Sequence, residues 1–181
     1  MVLYFITGNK HKFIQVKNLL APQIQVEQLE MDLVEIQEIN AKKIIEHKLI
    51  EAKKYHSGEF LVEDTSLYLD ALNGLPGPLI KWFWNSLGPN GIYDLSKKIG
   101  GTSAKAVSIF GYSNGNEIKF FSGELDGEIA KPGKDDGFGW NRVFKPKGFD
   151  EVLSDMPFEQ IIAIGMRKKA LDKFKEYYLK K

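Results

Sequence analysis

Three rhythms of apolar and polar residues succeed one another along this chain, and the changes of rhythm mark its elements. Residues 3–6, Leu-Tyr-Phe-Ile, are apolar without interruption, the signal of a buried strand. Thr7-Gly8-Asn9 ends that run, and apolar positions then recur at 13, 16, 19 and 20, one face of a helix. Residues 24–29 alternate like a short strand, and 31–38 form a loop carrying several acids. Asn40 is placed to cap a helix over 41–55, with apolar positions at 41, 44, 45, 49 and 52, closed by Gly58. Phe60-Leu61-Val62 reads as a buried strand ending in Glu63-Asp64-Thr65-Ser66-Leu67; a second apolar patch at 67–72 precedes a turn cluster at 73–78.

The second half is less regular. Residues 80–86 are rich in aromatics, and a helix over 91–99 ends at Gly100-Gly101. Residues 104–112, 117–124 and 127–131 read as antiparallel strands, the first two joined by a turn at 113–116. A glycine- and aspartate-rich loop occupies 133–139, residues 140–144 lead away from it, and a helix over 157–179 is interrupted near Gly165. The pattern predicts one α/β domain over 1–181, a mixed sheet flanked by helices, with two lobes and a central cleft.

Composition narrows the classes. With 181 residues, 43% hydrophobic and 27% charged, the chain suits a single domain with a substantial core. A formal charge of +1 argues against a broad nucleic-acid surface. Cysteine is absent, which excludes disulfides and thiolate metal sites, and no apolar run reaches the ~20 residues of a membrane span. The chain starts directly on a strand without a signal-peptide pattern, so a cytoplasmic protein bound to no membrane is expected.

Candidate chemistry gathers in three places. The Thr7–Lys12 turn joins a strand to a helix; Gly8 lets backbone approach a ligand, the helix start offers N–H groups, and Lys10, His11 and Lys12 are close by. That suits a polyphosphate, although an ordinary turn with solvated lysines has the same spelling, and the Walker spacing is missing. Carboxylates form the second lead. Glu35 and Asp64, if they converge, make a hard-oxygen site for Mg²⁺; Glu35, Glu38 and Glu63 are otherwise solvated charges. Third, Gly137-Phe138-Gly139-Trp140-Asn141 offers rings to stack on a flat base and an amide for its edge, or else a turn with core aromatics. The histidines, 11, 47 and 56, share no ligand spacing and read as surface residues.

Four strings occur in one order and at one family's separations: Thr7-Gly8-Asn9-x-x-Lys12, Val62-Glu63-Asp64-Thr65-Ser66-Leu67, Gly74-Leu75-Pro76-Gly77 and Phe138-Gly139-Trp140. From Ile6 to Leu171 the chain resembles the inosine/xanthosine triphosphate pyrophosphatases, which remove deaminated purine nucleotides from the nucleotide pool. The resemblance implies an elongated, twisted mixed sheet, usually in a homodimer, and cleavage of a nucleoside triphosphate to a monophosphate and pyrophosphate. It also implies roles. Thr7, Gly8, Asn9, Lys10, His11, Lys12 and Lys48 would hold the triphosphate, with Lys12 and Lys48 acting in catalysis. Glu35 and Asp64 would bind Mg²⁺, Asp64 also activating water. Thr65 would contact the nucleotide; Phe138 would stack on the base, with Gly139, Trp140, Asn141, Met166 and Arg167 around it.

Departures from the family pattern cluster. Gln15 stands where a glutamate is usual, Asn141 where an aspartate is, Arg142 where a proline is, and Ile161 where a lysine is. Gly165-Met166-Arg167 stands for Ser-His-Arg. The lost groups are readers of an oxygenated purine edge, so an altered or relaxed base preference is expected. Two alternatives remain: a nucleotide binder that no longer hydrolyses, and a Maf-type pyrophosphatase, against which the Phe-Gly-Trp segment argues.

Overall fold

The computed structural model describes residues 2–135 and 139–181. Strand β1 (Leu3–Ile6) leads through the Thr7–Asn9 turn into helix α1 (Lys10–Leu20), and β2 (Val26–Leu29) then runs parallel to β1 with Val26 opposite Leu3. Helix α2 (Ala41–Tyr55) starts at Asn40, whose side chain accepts from the Lys42 amide at 3.0 Å. It delivers the chain to β3 (Glu59–Leu69), parallel to β1 on the other side. Short β4 (Pro76–Gly77) folds back antiparallel on the distal end of β3, turning the Asn73–Pro78 cluster into a hairpin. Helix α3 (Ile80–Lys98), strands β5 (Ser103–Ser113) and β6 (Ile118–Ile129), β7 (Phe144–Pro146), and helices α4 (Phe158–Ile164) and α5 (Met166–Leu179) complete the chain. The expected mixed sheet is present: seven strands among the described residues, ordered β2-β1-β3-β5-β6-β7 with β4 on β3.

Three sequence expectations are corrected. The Glu63–Leu67 run expected to end strand β3 lies inside it, and the strand continues to Leu69, because Glu63 finds buried partners and the ladder need not break. The helix expected over 91–99 begins earlier, at Ile80, and takes in the aromatic segment 80–86 as the first half of α3. Its axis breaks at Gly88, at φ 65° and ψ −178°, with Pro89 opening the second half. The two strands expected at 117–124 and 127–131 are one, since Gly127, Glu128 and Ile129 pair with β7 and keep the backbone in the ladder. The break near Gly165 is present, separating α4 from α5.

The chain divides into two compact units: residues 1–64, 108–123 and 167–181 make the first, and 65–107 with 124–166 the second. In the first unit one sheet face (Leu3, Phe5, Leu61, Phe110, Tyr112) packs on Val16 and Leu20 of α1 and on Ala170, Leu171 and Phe174 of α5. The opposite face receives α2: at Gly111 a Cβ would fall 2.2 Å from Ile45 Cγ2, so only glycine lets the helix seat this closely. The second unit has its own core of Leu67, Leu69, Ile80, Ile92, Val143, Phe144, Leu153 and Met166.

Candidate functional site

The turn after β1 is shaped by its own side chains. Thr7 Oγ1 accepts from the Asn9 amide at 3.1 Å, and Asn9 Oδ1 caps α1 by accepting from the Lys12 amide at 3.0 Å. The Thr7 carbonyl accepts from Gln28 Nε2 at 2.9 Å, tying the turn to the end of β2. Gly8, Lys10 and His11 are exposed at the start of the helix, where the macrodipole and the first amides favour an anion. Thr7 and Asn9, predicted as phosphate ligands, thus also build the turn.

Behind the turn lies a buried carboxylate that the sequence reading left as a solvated charge. Glu63 has no exposed side-chain surface. Arg167 grips it with Nε to Oε1 at 2.7 Å and Nη2 to Oε2 at 3.2 Å; Ser108 Oγ donates to Oε1 at 2.7 Å, and Lys12 Nζ stands 3.3 Å from Oε2. Arg167 Nη1 donates to Gln15 Oε1, one helical turn beyond Lys12. Burial pushes the Glu63 carboxyl up, but the Arg167 and Lys12 charges outweigh it and hold it at about 2. A lone acid inside Phe60-Leu61-Val62-Glu63 was the available signal, since a buried charge needs partners.

Strand alternation sends Asp64 to the face opposite Glu63, the α2 face, where Lys48 stands. Lys48 ion-pairs with Glu35 from the acidic loop, so two residues predicted for phosphate and metal are brought together. Asp64 and Thr65 are half-buried within β3. Among the described residues no group of three His, Cys, Asp or Glu is arranged to hold a metal. Glu35 and Asp64 are hard-oxygen donors of the kind Mg²⁺ takes, one or two at a time, with water and phosphate completing the octahedron.

The predicted base-end residues belong to the second unit, Arg167 excepted. Phe138 lies outside the described residues. Gly139, Trp140 and Asn141 form a 3₁₀ turn with Arg142, which ion-pairs with Asp135. Two bonds pin the approach to that turn, the Gly133 amide to the Arg142 carbonyl and the Lys134 amide to Asp155 Oδ1, both 2.8 Å. Trp140 meets Phe144 edge-on with centroids 5.9 Å apart, and Met166 and Ile161 join the same apolar cluster. Arg167 turns instead to Glu63 and Gln15. Of the histidines only His11 is fully at the surface; His56 packs edge-on to Tyr4 at 4.7 Å, and His47 is half-buried.

Parallel β1, β2 and β3, a capped turn at the strand ends and cations on both sheet faces define an α/β protein. Residues 3–177 match the model of the Ham1 family, and the chain belongs to that family. An inosine triphosphate pyrophosphatase of Neurospora crassa is 42% identical over 99% of this chain and 93% of its own. The enzyme of that name from Schizosaccharomyces pombe is 38% identical over 97% and 94%. The solved Ham1 protein of Staphylococcus aureus, 23% identical, superposes with a TM-score of 0.82 over 98% of each chain, a likeness of fold.

Proposed function

We propose that this protein hydrolyses nucleoside triphosphates to the monophosphate and pyrophosphate, using Mg²⁺, and that its base preference is broader than inosine and xanthosine. The observation that carries the reaction is the capped Thr7–Lys12 turn with Lys12 anchored on buried Glu63, beside relatives named for that hydrolysis. Lys12 and Lys48 hold phosphate oxygens and offset the charge that develops as the bridging bond breaks. Asp64 accepts the proton of the attacking water, whose oxygen stays on the phosphorus it attacks while the bridging oxygen leaves with the other product. Glu35 and Asp64 would hold the metal, which supplies charge neutralisation and a more acidic water when bound.

The broader base preference rests on Ile161 and Met166, which pack into the Trp140 cluster and present no donor to an oxygenated ring. A homodimer and a cytoplasmic address belong to the same reading; exposed Trp82 and Leu87 on α3 support the former, and sedimentation of the purified protein tests it. Pyrophosphate release from a panel of canonical and deaminated nucleotides, with Mg²⁺ and with chelator, tests the enzyme. Expected is Mg²⁺-dependent turnover of several bases. No release from any nucleotide would overturn the reaction, and strong selectivity for inosine and xanthosine triphosphates would overturn the broader preference.

A further inference from the structure

The Glu63 cluster has a feature that the proposed reaction leaves unused. Among the described residues, the five side chains bonded to one another here (Lys12, Gln15, Glu63, Ser108 and Arg167) carry two positive charges and one negative. Gln15 makes the difference, because it satisfies Arg167 Nη1 through a neutral amide oxygen. A carboxylate at the same place would bond Arg167 equally well and cancel the surplus charge. The cluster is poorly screened: the Glu63 side chain is fully buried, and those of Lys12 and Arg167 are only 18% and 15% exposed. It also sits at the first turn of α1, directly behind the capped loop, with Gln15 one turn past Lys12.

We infer that Gln15 is a determinant of affinity for the polyphosphate chain of the substrate, keeping net positive charge behind the Thr7–Lys12 turn by holding Arg167 without neutralising it. The inference rests on the proposed nucleotide hydrolysis and adds the element that sets the strength of its phosphate hold. Gln15 is a positioning residue: it touches Arg167 and acts on the phosphates through the field of the cluster. Removing one net charge from a poorly screened site changes the binding of a multiply charged anion by about tenfold or more.

Inorganic tripolyphosphate, which has no base or sugar, is the probe. Its affinity is measured by calorimetry for the parent protein, Gln15→Glu and Gln15→Leu over a series of salt concentrations, with kcat and KM for inosine triphosphate measured in parallel. Gln15→Glu is expected to bind tripolyphosphate at least about tenfold more weakly, with a shallower salt dependence, and to raise KM by a similar factor more than it lowers kcat. Gln15→Leu keeps the surplus charge and loses only the amide acceptor, so a two- to threefold loss of affinity with the parent's salt slope is expected. Equal losses in the two variants would overturn the inference, because the amide contact and not the charge would then matter. Parent-like affinity and KM in Gln15→Glu would overturn it too, while leaving hydrolysis standing. A parent protein that hydrolyses no nucleotide would remove the functional reading itself. Thermal melts of both variants show that binding is read on folded protein.

Discussion

Glu63 and Asp64 are neighbours in sequence with opposite surroundings, and their variants should fail in opposite ways. The Glu63 carboxyl is held at about 2 against an ordinary 4.5, so between those values the folded protein binds fewer protons than the unfolded chain. Its contribution is therefore complete above 4.5 and drains away as pH falls from 4.5 through about 2. The gap corresponds to about 3 kcal/mol, similar to the cost of breaking a buried ion pair. Glu63→Gln should lose about that much stability at pH 7, and the deficit should shrink as pH falls through the window, read from denaturant melts at several pH values. A deficit independent of pH would show that packing and not charge is lost. Asp64→Asn should instead leave stability nearly unchanged and lower kcat by at least about a hundredfold, consistent with loss of a positioned base. Near-parent turnover would take the role from Asp64. At this scale the sequence was readable where a turn is spelled locally, as in Thr7–Lys12. It marked Glu63 as an acid in an apolar strand but not its partners, since Ser108 and Arg167 are 45 and 104 residues away and come together only on folding.

Among elements, α3 shows how periodicity hides. Helical rhythm is recognised when apolar residues keep to one face, but here Ile80 and Ile92 are buried while Trp82 and Leu87 are exposed at 53% and 43%. Apolar residues on both faces erased the rhythm over 80–86, and only the stretch from 91 was readable. Helix α2, with Asn40 as cap and five buried positions in step, was legible from end to end. The break in α3 belongs to Gly88, whose φ of 65° with ψ of −178° is a conformation essentially confined to glycine. Nothing lies within 4 Å of where a Cβ would sit, so Gly88→Ala meets backbone strain without steric clash. A loss of about 1–3 kcal/mol is expected, visible as a lower melting temperature with kcat little altered. A variant as stable as the parent would mean that the two halves of α3 straighten at no cost.

For the whole molecule, the compact units do not follow the order of the chain. The first unit is built from residues 1–64, 108–123 and 167–181, so its core stays open until the last segment is present. Helix α5 brings Leu171 and Phe174, both fully buried, and Arg167, the bidentate partner of Glu63. Burying each large apolar side chain stabilises by about 1.5–3 kcal/mol, and stranding Glu63 costs about 3 more. Together that is comparable to the 5–15 kcal/mol that holds a typical domain folded. The end of α5 contributes differently: Lys181 donates to Glu59 at 2.6 Å, alongside the Tyr112 and Tyr178 hydroxyls, but its side chain is 36% exposed and water screens the pair. Lys181→Ala should therefore cost about 1 kcal/mol or less, because Glu59 keeps both tyrosine donors. A chain ending at Met166 should show no cooperative melt from the first unit, and protease should cut within residues 1–64. Circular dichroism melts and mass mapping of the fragments would check both. A truncated chain that still melts cooperatively within a few degrees of the parent would mean that α1, α2 and the strands make a sufficient core, with α5 needed only to bring Arg167 to Glu63.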